Sequence, residues 1–277
     1  MLRDTQDLLG CVVEGLDGSI GEVADLLFDD HRWTVRWLVV KTGDWLVGRR
    51  EVLLSPTAIR AGAGTAKTLQ AALRREQVRG SPEVDTHKPV SRQHEVEQYG
   101  YYGYPHYWGG SGLWGEGLQP DRMLATYIDG APQLELPQQR AFVALQAAFH
   151  KSMGDDPHLR ACRAVQGYRL HASDGELGHV AGFLIDDESW SLRYLIVNTS
   201  TWWFGHGLLI APSWIEDISW LEASVTVGLT RQAIQAAPPY TAGSLPTRDQ
   251  ERHLHDHHIR PHYWNDADAL ETDISRV

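Results

Sequence analysis

The densest group of chemistry-bearing side chains lies near the C-terminal end, where His253, His255, His257, His258 and His262 fall within ten residues, beside Glu251 and Asp256. Neutral imidazoles bind zinc, nickel or copper, and on a helix His253 and His257 would stand one turn apart on one face. The candidate metal ligands would then be His253, His257 and His258. Two other patterns carry weaker chemistry. Gly110 to Gly115 reads G-x-G-x-x-G, yet it follows Pro-His-Tyr-Trp-Gly rather than a strand, and no amphipathic helix begins there to cradle a phosphate. Asp29-Asp30 pairs two carboxylates without a third that recurs nearby, so a turn is the simpler reading than a divalent cation site. Cys11 and Cys162 occupy no equivalent places and define neither a disulfide framework nor a metal site. No nucleophile with a paired base, pair of acids at helical spacing or phosphate loop emerges, so no catalytic residue and no cofactor is expected.

The elements that would position these residues come from a duplication. Asp17 to Thr42 (DGSIGEVADLLFDDHRWTVRWLVVKT) returns as Asp174 to Thr199 (DGELGHVAGFLIDDESWSLRYLIVNT) at an offset of 174 − 17 = 157, with 13 of 26 positions identical. Half-identity over that length, with like-for-like exchange elsewhere, points to two copies of one small β domain.

In the first copy, Leu8 to Glu14 reads as a strand leading into the Asp17-Gly18 hairpin turn, Ile20 to Phe28 as the second strand and Trp33 to Lys41 as the third. Trp37-Leu38-Val39-Val40 and Tyr194-Leu195-Ile196-Val197 are apolar on both faces, so one face is expected to fill a core and the other to meet a sister domain, a second chain or a partner. Val52 to Ser55 forms a further strand. Ile59 to Leu73 is expected to supply the closing strands, seen more clearly in the second copy as Trp214 to Trp220 and Ser224 to Leu229. Arg74 to Val78 and Thr230 to Ile234 read as short helices, the latter capped by Thr230.

Each copy also carries a tail, a short polar helix ending in Pro-His-Tyr-Trp at residues 105–108 and 261–264, an offset of 261 − 105 = 156, with Arg92/Arg248 and Glu95/Glu251 aligned. The first tail has Glu97, Tyr99, Tyr101 and Tyr102 where the second has His253, His255, His257 and His258. What recurs is thus a polar and aromatic surface rather than a ligand set. The histidines read as tail decoration, and their replacement is expected to leave folding unchanged. Between the copies, Pro137 to Lys151 reads as a docked linker helix.

Eleven Trp beside five Phe is unusual usage. Trp45, Trp202, Trp203, Trp108 and Trp264 fall in loops or tails, where they either anchor a partner or bury against their own domain. The interface candidates are Trp37, Tyr194, Trp45, Trp202 and Trp203. A net charge of −11 argues against direct contact with nucleic acid. The N-terminal residues show neither a signal peptide nor a spanning helix, so the chain reads as cytoplasmic, reaching a membrane only through a partner.

The DG turn, the G-x-V before Asp-Asp, the R-[WY]-L-[VI]-V strand, the W-x-x-G loop and the [LI]-x-P before the closing strands resemble the PRC-barrel domain over residues 8–108 and about 158–264. That domain is shared by the cytoplasmic part of the photosynthetic reaction centre H subunit and the C-terminal part of the small-subunit ribosome maturation factor. The resemblance implies a mainly β fold of two tandem small antiparallel barrels, each with a helical tail. The expected domains are 1–108, a linker with a helix at 109–157, a second barrel with tail at 158–264 and an acidic tail at 265–277. It implies a non-enzymatic adapter whose partner is another protein, in a membrane-associated photosynthetic or electron-transfer complex, with a ribosome-assembly helper or a metal or stress-related binding protein as alternatives. The duplication also implies a pseudo-two-fold contact between the barrels, or a homodimer.

Overall fold

The computed structural model describes residues 1–60, 67–82, 90–108, 112–115, 117–121, 123, 157–199, 206–241 and 243–264. The first repeat runs β1 (Leu2–Asp4), α1 (Thr5–Leu8), β2 (Val12–Gly15), β3 (Gly18–Asp29), β4 (Thr34–Thr42), β5 (Glu51–Leu54), β6 (Thr68–Gln70), α2 (Arg75–Arg79), β7 (Val90–Ser91) and α3 (Arg92–Tyr102). The second runs β8 (Pro157–Ala161), α4 (Cys162–Val165), β9 (Arg169–Ala172), β10 (Gly175–Asp186), β11 (Ser191–Asn198), β12 (His206–Ile210), β13 (Ile215–Ser219), β14 (Ser224–Val227), α5 (Arg231–Gln235), β15 (Tyr240–Thr241) and α6 (Arg248–His257). The protein is mainly β, its strands joined in a large mixed sheet that does not close. Leu8, expected in a strand, ends α1 instead. The expected linker helix at residues 137–151 lies outside the described residues.

The chain divides into two compact units that depart from the repeat boundaries. Unit 1 holds Met1, Thr5–Ala164 and Ile185–Leu192; unit 2 holds Leu2–Asp4, Val165–Leu184 and Arg193–Val277.

Unit 1 is built on the β3–β4 pair, in register from Gly21↔Thr42 to Asp29↔Thr34. β2 joins the other edge of β3, from Val12↔Glu22 to Gly15↔Gly18, so the tight turn between them has Leu16 and Asp17 at its centre. Gly18 then takes φ +126, a backbone state that a side chain would strain. Asp17 is held in place because its Oδ1 accepts from the Arg75 N–H at the start of α2, 2.9 Å away. β8 forms a further partner of β3, from Leu27↔Ala161 to Asp29↔Leu159. The closing strand differs from expectation: β6 runs parallel to β2, Val12↔Thr68 to Glu14↔Gln70. A strand that returns after a long excursion can lie parallel to the first, whereas a hairpin cannot. Closure beyond it is limited to an isolated bridge, Ile59↔Ala71. The core is Phe28, Val35, Trp37, Leu38, Leu26 and Leu54, all fully buried. Each contributes about 1.5 to 3 kcal/mol from removal of apolar area from water.

The turn from β3 to β4 depends on Asp29, whose Oδ1 accepts from the N–H groups of His31 and Arg32 at 3.0 and 3.3 Å. Trp33 closes it at φ +52, donating its N–H to Asp29 O. The turn-forming role expected of the aspartate pair thus falls to Asp29, while Asp30 pairs with Arg160 at 2.9 Å. The 185–192 segment repeats it, with Trp190 at φ +60 bonded to Asp186 O.

Unit 2 repeats the plan: β9 pairs antiparallel with β10, β14 runs parallel to β9 and antiparallel to β13, and β11 pairs with β12. β1 is a further partner of β10. Its core includes Phe183, Tyr194, Leu195, Ile210, Trp214 and Val225. Asp174 Oδ1 accepts from the Arg231 N–H at 2.8 Å, as Asp17 does in unit 1, and Thr230 caps α5 through the Ala233 N–H. Asp174→Ala is expected to leave that amide without its acceptor and to cost about 1 kcal/mol. Hydrogen exchange confined to residues 231–235 would read the loss; unchanged protection there would contradict it.

Candidate functional site

Each unit presents the same construction, a tail helix laid over the outward face of a strand with a buried glutamate beneath it. In unit 1, α3 turns Glu95, Val96, Gln98 and Tyr99 inward, all completely buried. A charged and an amide side chain at such positions require partners. The Glu95 carboxylate accepts from Trp37 Nε1 at 3.1 Å and from the Tyr107 hydroxyl at 3.1 Å, and lies 2.8 Å from His158 Nε2. Gln98 donates to Pro82 O at 3.0 Å.

A second buried charge stands beside it. Arg36, wholly buried, pairs with Asp29 at 3.3 Å and donates to Leu113 O at 2.6 Å. Its guanidinium lies 3.7 Å over the Tyr107 ring and 4.8 Å over that of Trp114. Burial pushes the Asp29 carboxyl upward, but Arg36 and the two turn amides outweigh it and hold the group below its ordinary value. The described part of the glycine-rich stretch therefore has a packing role: Leu113 offers its carbonyl to Arg36, and buried Trp114 donates Nε1 to Ser189 O at 2.8 Å. Gly110 and Ser111 lie outside the described residues.

In unit 2 the glutamate is Glu251, which accepts from the hydroxyls of Tyr194 and Tyr263 at 3.2 and 2.7 Å and sits 3.2 Å from Arg248 Nη1. Arg193 lies 4.2 Å over the Tyr263 ring. Burial, with the Glu251 charge behind it, drives the Tyr194 hydroxyl far above its ordinary value, so it acts only as a neutral donor. The imidazole comes from the helix here: His255 Nε2 is 3.0 Å from the Tyr194 hydroxyl and Nδ1 donates to Pro261 O at 2.8 Å.

A carboxylate 2.8 Å from an imidazole could in principle act as a base pair, but Glu95 is 0% and His158 3% exposed, so no substrate reaches them while the tail is docked. What the arrangement does is bind the tail to the sheet. Trp37 and Tyr194, expected to face a sister domain or partner, are instead completely buried beneath the tail of their own unit. The strand pattern states that both faces are apolar; it does not state what covers them.

The remaining candidates scatter. Trp45 folds onto its own unit, donating Nε1 to Ile20 O at 2.7 Å. Trp202 and Trp203 lie outside the described residues. His253 is exposed, and exposed His257 lies 3.1 Å from Ala233 O through Nε2. His258 is buried, its ring 4.9 Å from that of Trp214. His262 pairs with Asp256 at 2.9 Å. Among the described residues no three His, Cys, Asp or Glu side chains come together to hold a metal ion. The reading of this group as decoration needs correction at His255 and His258, which pack into unit 2 because the positions they occupy face inward, as Tyr99 does on α3.

The role of the glutamates was missed, although a signal existed: Glu95 and Glu251 recur at equivalent places in otherwise divergent helices. His158 carried none. No helix among the described residues is long and apolar enough to cross a membrane. No family model matches the chain, and no curated protein matches it at a significant level.

Proposed function

We propose that the chain is a non-enzymatic, cytoplasmic protein-binding adapter built of two PRC-barrel-type modules, the duplicated chain standing in for a dimer of single modules. Its partner is a protein, in a membrane-associated complex. The observation that carries this reading is the loop at Gly43 to Arg50. Trp45 is pinned to Ile20 O and Arg49 to Asp44, yet Val47 between them is 100% exposed. A singly exposed valine is ordinary on a surface; what singles out this loop is that Val47 is presented between two side chains whose contacts brace it. The second repeat places Trp202-Trp203-Phe204 at the matching stretch of sequence. By contrast, three residues common to both repeats, the tail glutamate, the Tyr of Pro-His-Tyr-Trp and the strand arginine, are engaged in internal contacts, which supports a binding role over catalysis.

The test begins with purification of the tagged protein from its host and reconstitution with each co-purifying protein. Val47→Asp is expected to weaken the reconstituted complex by about tenfold or more. Stability of the free protein should change by less than about 0.5 kcal/mol. A partner whose affinity ignores this substitution removes the loop from the interface, and the absence of any stoichiometric protein partner refutes the adapter reading.

A further inference from the structure

Within unit 2, the C-terminal turn of α6 holds an ionisable ring in a place that offers it no counter-charge. His258 is 8% exposed and its ring packs at 4.9 Å and 64° against buried Trp214. Its Nε2 meets no hydrogen-bond partner among the described residues. The ionisable groups that act on it are all basic: His257, its ring at 4.8 Å, His255 and Arg260. The nearby carboxylates are engaged elsewhere. Glu251 is held by Tyr194, Tyr263 and Arg248, and Asp256 by His262. α5, packed alongside, turns the Ala233 carbonyl toward His257, while its Arg231 is paired with Asp174. Unit 1 places Tyr102 at the position equivalent to His258 and Tyr99 at that of His255.

We propose that the tail of unit 2 is an acid-released clamp: protonation of His258 undocks α6 and uncovers the face carrying Trp214 and Tyr194, while the tail of unit 1, with tyrosine at that place, stays docked.

The direction follows from the site. Burial, then the charges of His257, His255 and Arg260, lower the docked His258 to about 4, whereas the released ring returns to its ordinary value of about 6.5. The docked tail therefore binds fewer protons between these two values. Docking is fully favoured above about pH 6.5, weakens as pH falls through that value, and stops changing below about 4. By pH 5 the docking equilibrium should fall by about 30-fold. Tyr102, which burial pushes up to about 12, undergoes no charge change in that range.

Hydrogen exchange of the full chain, corrected for intrinsic rates, compares peptides covering residues 248–258 with those covering 92–102. Protection of the first is expected to drop by about 30-fold between pH 7.5 and pH 5, and that of the second to hold. His258→Tyr should remove most of the drop, leaving only the smaller part that comes from His255, which burial also holds below its ordinary value; if that variant fails to fold, His258→Gln replaces it with the same expectation. Equal loss in both helices, a loss undiminished in the folded variant, or an NMR titration of His258 in the native protein with a midpoint near 6.5 would each overturn the proposal.

Discussion

Glu95→Ala is expected to lower the stability of unit 1 by about 3 to 5 kcal/mol, the cost typical of removing one member of a buried charged network. The substitution deprives three buried groups of one acceptor: Trp37 Nε1, the Tyr107 hydroxyl and His158 Nε2. Each orphaned polar group adds a desolvation cost of about 1 to 3 kcal/mol when water does not enter to replace the carboxylate. Glu95→Gln retains one oxygen acceptor and should cost less than half as much. Urea denaturation, with hydrogen exchange in residues 92–102 to locate the loss, measures both. A decrease below about 1 kcal/mol for the alanine variant would show that the tail is held by its aromatic packing rather than by the carboxylate. The equivalent Glu251→Ala should loosen α6 in the same way, since Tyr194, Tyr263 and Arg248 converge on that group.

Gly21→Ala and Gly178→Ala form the second large expected effect, about 3 kcal/mol each through forced displacement of backbone. A Cβ at Gly21 would fall on the carbonyl of Lys41, and one at Gly178 on that of Asn198. Neither glycine has a positive φ; the constraint is the close approach of the neighbouring strand, and Gly21 is in register with Thr42 on β4. Backbone cannot swing aside as a flexible side chain can. The melting temperature should fall by about 6 to 12 °C. Gly43→Ala is the control, because its added Cβ meets only the edge of the Trp45 ring at 3.4 Å. A Gly21→Ala protein within about 1 kcal/mol of the native chain would mean that β3 and β4 separate more easily than their pairing implies.

The duplication, the long strands β3, β4, β10 and β11, the Thr230 cap and the two tail helices were legible in the residues, because each rests on local pattern or on direct comparison of one repeat with the other. The loop between β4 and β5 was legible for the same reason. The coverage of Trp37 and Tyr194 was not. A strand such as Thr34–Thr42, buried at every residue but Lys41, reveals that both its faces avoid water, and the covering element here is a helix with a polar sequence. Such a helix becomes an acceptable lid only once Glu95 finds Trp37, 58 residues away, and His158, 63 residues away. Those distances along the chain leave no periodic trace. The parallel return of β6 and β14, and the place of β8 in unit 1, were likewise decided by long-range pairing, since any strand of apolar residues can hydrogen-bond to either neighbour in either direction. The histidines show the same division: their number and spacing belong to the sequence, but it is the inward turn of α6 that exposes His253 and His257 to water and packs His255 and His258 against Trp214.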